Sequence, residues 1–217
     1  MFKRSNIKGN KKGYTLAEAI VVVAVVAIVL SVMGDIFISA LRERQSKEKY
    51  LGLLRQRKFA SRRLEAELGE SSISTVTIVQ GQYTASGGTY GCDTIAFLSH
   101  IDQNGRVKAV DEGDLVYQSE VIFYLDTGSK TLYCQKNYTV PPRPTGAFTP
   151  RHSGPNMDQA VARDVLEVRF TDYTGTGGVT APSGDYIKAR LTFEKEGLKT
   201  TMERNFRMRK SKIIDEL

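Results

Sequence analysis

The sequence predicts an α+β chain: a long N-terminal α-helix, membrane-spanning in its first half, packed on a C-terminal antiparallel β-sheet head. Three observations carry this. Residues 19–33 form an uncharged run in which Ser31 is the one polar side chain. Residues 42–68 are rich in Leu, Arg, Glu, Lys, Gln and Ala and hold no proline, so helix propensity stays high. From Ser72 the texture changes to short runs rich in Val, Ile, Thr, Tyr and Phe, bounded by turn residues.

The first thirteen residues are basic. Lys3, Arg4, Lys8, Lys11 and Lys12 lie there with no acidic residue, and they supply most of the formal charge of +7. The high pI is therefore a property of this leader, and it does not argue for nucleic acid. Its position ahead of the apolar run places the N-terminus in the cytoplasm by the positive-inside rule. Beyond the run, Arg42, Arg44, Lys47 and Lys49 are interleaved with Glu43 and Glu48. Between leader and run stand Gly13, Tyr14, Thr15, Leu16, Ala17 and Glu18. A carboxylate at the mouth of a membrane-length apolar segment is expensive unless something pairs with it, so Glu18 is a functional candidate.

The uncharged run alone is short for a membrane span, which takes roughly 20 apolar residues. Tyr14–Leu16 and Ile36–Leu41 extend it, giving a transmembrane part of residues 14–41. Leu53, Ala60, Leu64 and Leu68 then share one helical face, interrupted by Arg57, and Tyr50 and Leu54 form a second pair. Gly69 and Ser71-Ser72 end the helix. Uninterrupted, it would be about 80 Å long at 1.5 Å per residue. The expected domains are a leader at 1–13, the helix at 14–69 and the head at 70–217.

In the head, strands are expected at Ile73–Val79, Thr94–Ser99, Leu115–Tyr117, Glu120–Leu125, Thr131–Gln135 and Arg163–Tyr173. Asp126-Thr127-Gly128-Ser129 reads as the turn of a hairpin. Lys136–Asn156 holds five of the six prolines and reads as a long irregular loop. Gly175–Gly184 is a flexible loop. Asp185–Glu194 and Lys199–Met208 form a closing hairpin across Lys195-Glu196-Gly197-Leu198, and the polar–apolar alternation of Tyr186–Phe193 marks a half-buried strand.

Nothing here assembles a catalytic constellation. His100 and His152 have no Ser, Cys or carboxylate at a motif spacing, and the G-x-S-x-G, H-E-x-x-H and Walker A patterns are absent. No cofactor or metal is expected. Asp111-Glu112-Gly113-Asp114 lacks the alternating ligands of a calcium loop and reads as a solvated turn. Arg204, Arg207, Arg209, Lys210 and Lys212 make a basic terminal stretch, with only Phe206 as the aromatic that single-strand binding would favour. Cys92 and Cys134 both lie in the part expected to be exported, where disulfides persist. Their pairing is a candidate disulfide worth about 3–4 kcal/mol, against two buried free thiols as the other reading.

The stretch from Gly13 through Tyr14, Thr15, Leu16, Ala17 and Glu18 into the apolar helix resembles the prepilin signal of type IV pilins and pseudopilins: a glycine, an aromatic residue, then T-L-x-E. Tyr14 stands where phenylalanine is usual, and the helix lacks the kinking proline of major pilins, the first proline being Pro141. The run Glu120–Tyr133, then Val165–Tyr173, then the hairpin ending at Arg207 resembles, in pattern, J-type minor pseudopilins of type II secretion and PilW-type minor pilins.

The resemblance implies cleavage after Gly13 by a prepilin peptidase, N-methylation of Tyr14, and retention of the helix as the packing rod of a filament. Glu18 would then meet the amino terminus of a neighbouring subunit and set register. Implied partners are other minor and major subunits, an inner-membrane assembly platform and the lipid bilayer. The implied location is the inner membrane as a single-pass protein, head outside the cytoplasm, and then a type IV pilus or secretion pseudopilus. The alternatives are a pilus-borne adhesin or DNA receptor, a secreted protein with an ordinary signal peptide, and a plain membrane anchor.

Overall fold

The computed structural model describes residues 15–85, 88–100, 119–138, 159–172, 174–178, 182 and 184–208. It contains one long helix followed by antiparallel sheets, the α+β architecture expected. Helix α1 runs over Leu16–Gly69, 54 residues without a break. The chain divides into two compact units, Met1–Glu48 and Lys49–Leu217.

In the first unit the described residues are helix from Leu16 onward, and the apolar side chains from Leu16 to Leu41 are all exposed. That stretch is long and apolar enough to cross a membrane.

The second unit takes in the last turns of α1. Leu53, Ala60, Leu64 and Leu68 are fully buried there, on the face the sequence marked out. Ser61 and Glu67 are buried beside them. At the helix end Ser71 N–H donates to Leu68 O (3.2 Å) and Ser71 Oγ donates to Glu67 O (2.6 Å), satisfying carbonyls that the last turn leaves open.

Ten strands follow. Strands β1 (Thr77–Val79), β4 (Thr94–Ser99), β5 (Ser119–Asp126), β6 (Thr131–Asn137) and β7 (Gln159–Ala162) form a five-stranded sheet in the order β1-β4-β5-β6-β7. Strands β8 (Val165–Thr171), β9 (Tyr186–Lys195) and β10 (Leu198–Arg207) form a second sheet in the order β10-β9-β8. Strands β2 (Gln82–Ala85) and β3 (Gly88–Gly91) make a small hairpin.

Register follows from side-chain alternation. Ile95 faces Phe123 and Phe123 faces Cys134, so these inner side chains meet the helix residues in one core, with Phe97 and Phe123 stacked at 6.2 Å. The neighbours Ala96, Ile122, Tyr124 and Tyr133 point to the other face and form a second small cluster, with Tyr124 and Tyr133 opposite each other and stacked at 5.6 Å. In the second sheet Val168, Phe170, Ile187, Leu191, Phe193, Met202 and Phe206 complete the main core.

Several expectations shift in detail. Ile73–Thr75 is a 3₁₀ turn rather than strand, and the strand begins at Thr77. The stretch expected as one strand from Arg163 to Tyr173 narrows to β8, because Asp164 takes φ 59° and breaks the run. The closing hairpin is tighter than expected. Lys195 pairs with Leu198, which leaves a two-residue turn with Glu196 at φ 49° and Gly197 at φ 83°, the twist-matched geometry of a type I′ turn. Glu196 also pairs with Lys49 of the helix. The expected strand Leu115–Tyr117 and most of the proline-rich loop lie outside the described residues.

Candidate functional site

The N-terminal segment is the candidate site, and its geometry starts at Thr15. A helix leaves its first four N–H groups without internal partners. Thr15 sits one residue before α1, and Ala19 N–H donates to its carbonyl (3.2 Å), so it is the N-cap. Its Oγ1 accepts from Glu18 N–H (3.4 Å). In return Glu18 Oε2 accepts from Thr15 N–H (2.8 Å) and from Thr15 Oγ1 (3.1 Å). This reciprocal closure is a capping box. It also sets the carboxylate at the positive end of the helix dipole.

Glu18 is therefore held within its own chain. The sequence reading gave it only a partner on another subunit. The T-x-x-E spacing from Thr15 to Glu18 was the signal for the intramolecular partner, and it went unread. Gly13 and Tyr14 lie outside the described residues, as do Asp111–Asp114, His152, Arg209, Lys210 and Lys212. His100 is buried at the end of β4, where its N–H donates to Glu70 O (3.3 Å).

The two cysteines are free thiols, and the candidate disulfide is not formed in the structure. Different ladders hold them. Cys134 lies in β6 of the five-stranded sheet, whereas Cys92 forms a bridge with Val168 of β8. Burial raises both thiols, Cys134 to about 12 with a smaller contribution from the nearby Glu67 carboxylate.

Two polar joints in the head escaped the sequence reading. Glu67, with its side chain 3% exposed, pairs with Arg63 one turn earlier (3.3 Å) and with Lys136 of β6 (2.8 Å), tying helix to sheet. Asp93 is fully buried between the sheets. It accepts from Phe170 N–H (2.9 Å) and Gly81 N–H (3.2 Å), and Arg169 approaches at 3.7 Å. Glu67 falls on the same helical face as Leu53, Ala60 and Leu64, and a carboxylate on an apolar face is a readable signal of a buried pair. Asp93 carries no local signal, because its partners are 12 and 77 residues away.

Residues 8–34 match the family described as the prokaryotic N-terminal methylation motif. No curated protein matches the chain. The match spans the end of the basic leader, Gly13 to Glu18, and the apolar run through Gly34. The chain thus carries a prepilin-type methylation signal that continues directly into an exposed apolar helix.

Proposed function

We propose that this chain is a non-catalytic minor subunit of a type IV pilus or a type II secretion pseudopilus. The observation that carries the reading is the methylation motif at residues 8–34 leading without interruption into the exposed apolar helix. A prepilin peptidase cuts after Gly13, and Tyr14 becomes the methylated first residue. Residues 14–41 anchor the protein in the inner membrane, head outside, until they pack with the helices of other pilin subunits. Glu18 sets register against a neighbour's amino terminus, since a carboxylate paired with an ammonium in low dielectric is far less costly than either alone. A minor role is supported by a helix with no proline, and the head's sequence pattern resembles that of J-type pseudopilins and PilW-type minor pilins.

The test is the mass and first residue of the protein extracted from membranes. A start at methylated Tyr14 is expected. A start near Leu41 in a soluble product sinks the filament reading, and an intact Met1 beside an active peptidase reduces the segment to an anchor.

A further inference from the structure

Beside β10 the second unit has a cleft of about 430 Å³ between that strand and the helix. Leu54 and the buried Met202 give it an apolar floor. Its polar wall is mostly cationic. Arg204 is already engaged, donating to Ser61 Oγ (2.7 Å) and pairing with Glu65 (3.0 Å). Glu203 is likewise neutralised, by Lys188 and by Arg190 (2.7 Å). Arg57, Lys58 and Arg62 are exposed along the rim and have no ion-pair partner among the described residues.

Among the described residues, the strand next to this rim is an edge: β10 is the outer member of its sheet, ten residues long, and pairs there with β9 alone. Alternate residues of an edge strand turn their N–H and C=O groups away from the sheet, where another chain can add. An extended peptide that paired there would run alongside three unpaired cations and an apolar strip.

We propose that the cleft between α1 and β10 is a docking site for an extended, acidic segment of a partner protein, which adds to β10 as a further strand. Strand addition supplies main-chain affinity, and side-chain pockets set the choice of partner. Here the choice is acidic: on the face turned to the helix, at every second residue, carboxylates meet Arg57, Lys58 and Arg62 and apolar side chains cover Leu54 and Met202. The inference concerns the second unit alone and does not depend on how the N-terminus is processed.

The test uses the full chain in detergent micelles and a fluorescein-labelled decapeptide, Glu-Thr-Val-Thr-Glu-Thr-Val-Thr-Glu-Thr, whose glutamates and valines share one face of a strand, read by anisotropy. Saturable binding that weakens with added salt is expected. The variant Arg57→Glu/Lys58→Glu/Arg62→Glu is expected to bind about tenfold more weakly or worse, because three favourable charge contacts become repulsive. Its thermal midpoint stays at the wild-type value, the three side chains being exposed. A peptide with alternate amides N-methylated is expected not to bind. Equal binding of the same peptide with lysine in place of each glutamate, undiminished binding by the triple variant, or undiminished binding of the N-methylated peptide each overturns the proposal. So does failure to bind the acidic peptide while phosphatidylglycerol vesicles are captured through the same three cations, which would assign them to a lipid surface.

Discussion

At the scale of single residues, the buried polar groups make the sharpest predictions. Cys134 is 1% exposed and its thiol is pushed up to about 12, so at pH 8 only roughly one molecule in 10⁴ carries the reactive thiolate. Cys92 is half-buried and raised less. Titration of the unreduced native protein with a thiol reagent is expected to label Cys92 alone, and both cysteines after denaturation. Zero labels in both states would instead establish the bridge. Asp93 gives a pH-dependent counterpart. Burial raises its carboxyl above the ordinary value of 3.8, and this outweighs the lowering by Phe170 N–H, Gly81 N–H and Arg169. The folded state then holds the proton more tightly than the unfolded chain. That contribution to stability is fully present below pH 3.8 and is lost as pH rises through the raised value. Asp93→Asn can accept only one of the two amide donors and leaves the other facing an amino group, a loss of about 1–3 kcal/mol at pH 7. Denaturant titrations should show this loss growing as pH falls toward 3.8, and a pH-independent difference would refute the raised carboxyl.

At the scale of elements, what was legible in the sequence is what periodicity encodes. The buried face of α1 was readable because Leu53, Ala60, Leu64 and Leu68 recur at helical spacing. β9 and β10 were readable because apolar residues alternate with polar ones across a turn. The hairpin of β2 and β3 was not, since Gln82–Ala85 and Gly88–Gly91 carry little apolar pattern. They are fixed by long-range contacts instead: Tyr83 Oη donates to Leu166 O (2.5 Å), and Gly91 lies so close under Arg169 that an added Cβ would sit 2.0 Å from it. β7 was hidden for a similar reason, being four residues at the end of a proline-rich stretch, held by pairing with β6. Elements also decide the sign of one substitution made twice. Gly52 lies inside α1 and Gly197 in the β9–β10 turn, and an added Cβ meets nothing within 4 Å at either. The difference is therefore conformational. Gly52→Ala is expected to stabilise the head by about 0.5–1 kcal/mol through helix propensity. Gly197→Ala, at φ 83°, is expected to destabilise it by about 1–2 kcal/mol. Urea denaturation of the two variants checks both, and equal signs would contradict the turn geometry.

At the scale of the whole molecule, the question is what Glu18 does in the proposed passage from membrane to filament. Two roles compete for one carboxylate. Within the chain it closes the capping box with Thr15. Between chains, in the proposed filament, it meets a neighbour's methylated amine. The two are compatible, because a carboxylate has two oxygens and several acceptor positions, and the capping bonds to Thr15 use Oε2. Holding the side chain at the helix end would also spare the lone subunit a bare charge in lipid. Substitution separates the roles. Glutamine still completes a capping box but carries no charge. Alanine removes both, and the cap alone is worth about 1 kcal/mol. If register depends on charge, Glu18→Gln and Glu18→Ala are both cut after Gly13 yet fail to enter filaments, and they fail alike. The measurement is the mature N-terminal mass together with the fraction of protein in sheared or cross-linked assemblies. Assembly by the glutamine variant at the wild-type level, with only the alanine variant lost, would make Glu18 a helix cap and leave register to the packing of the apolar faces.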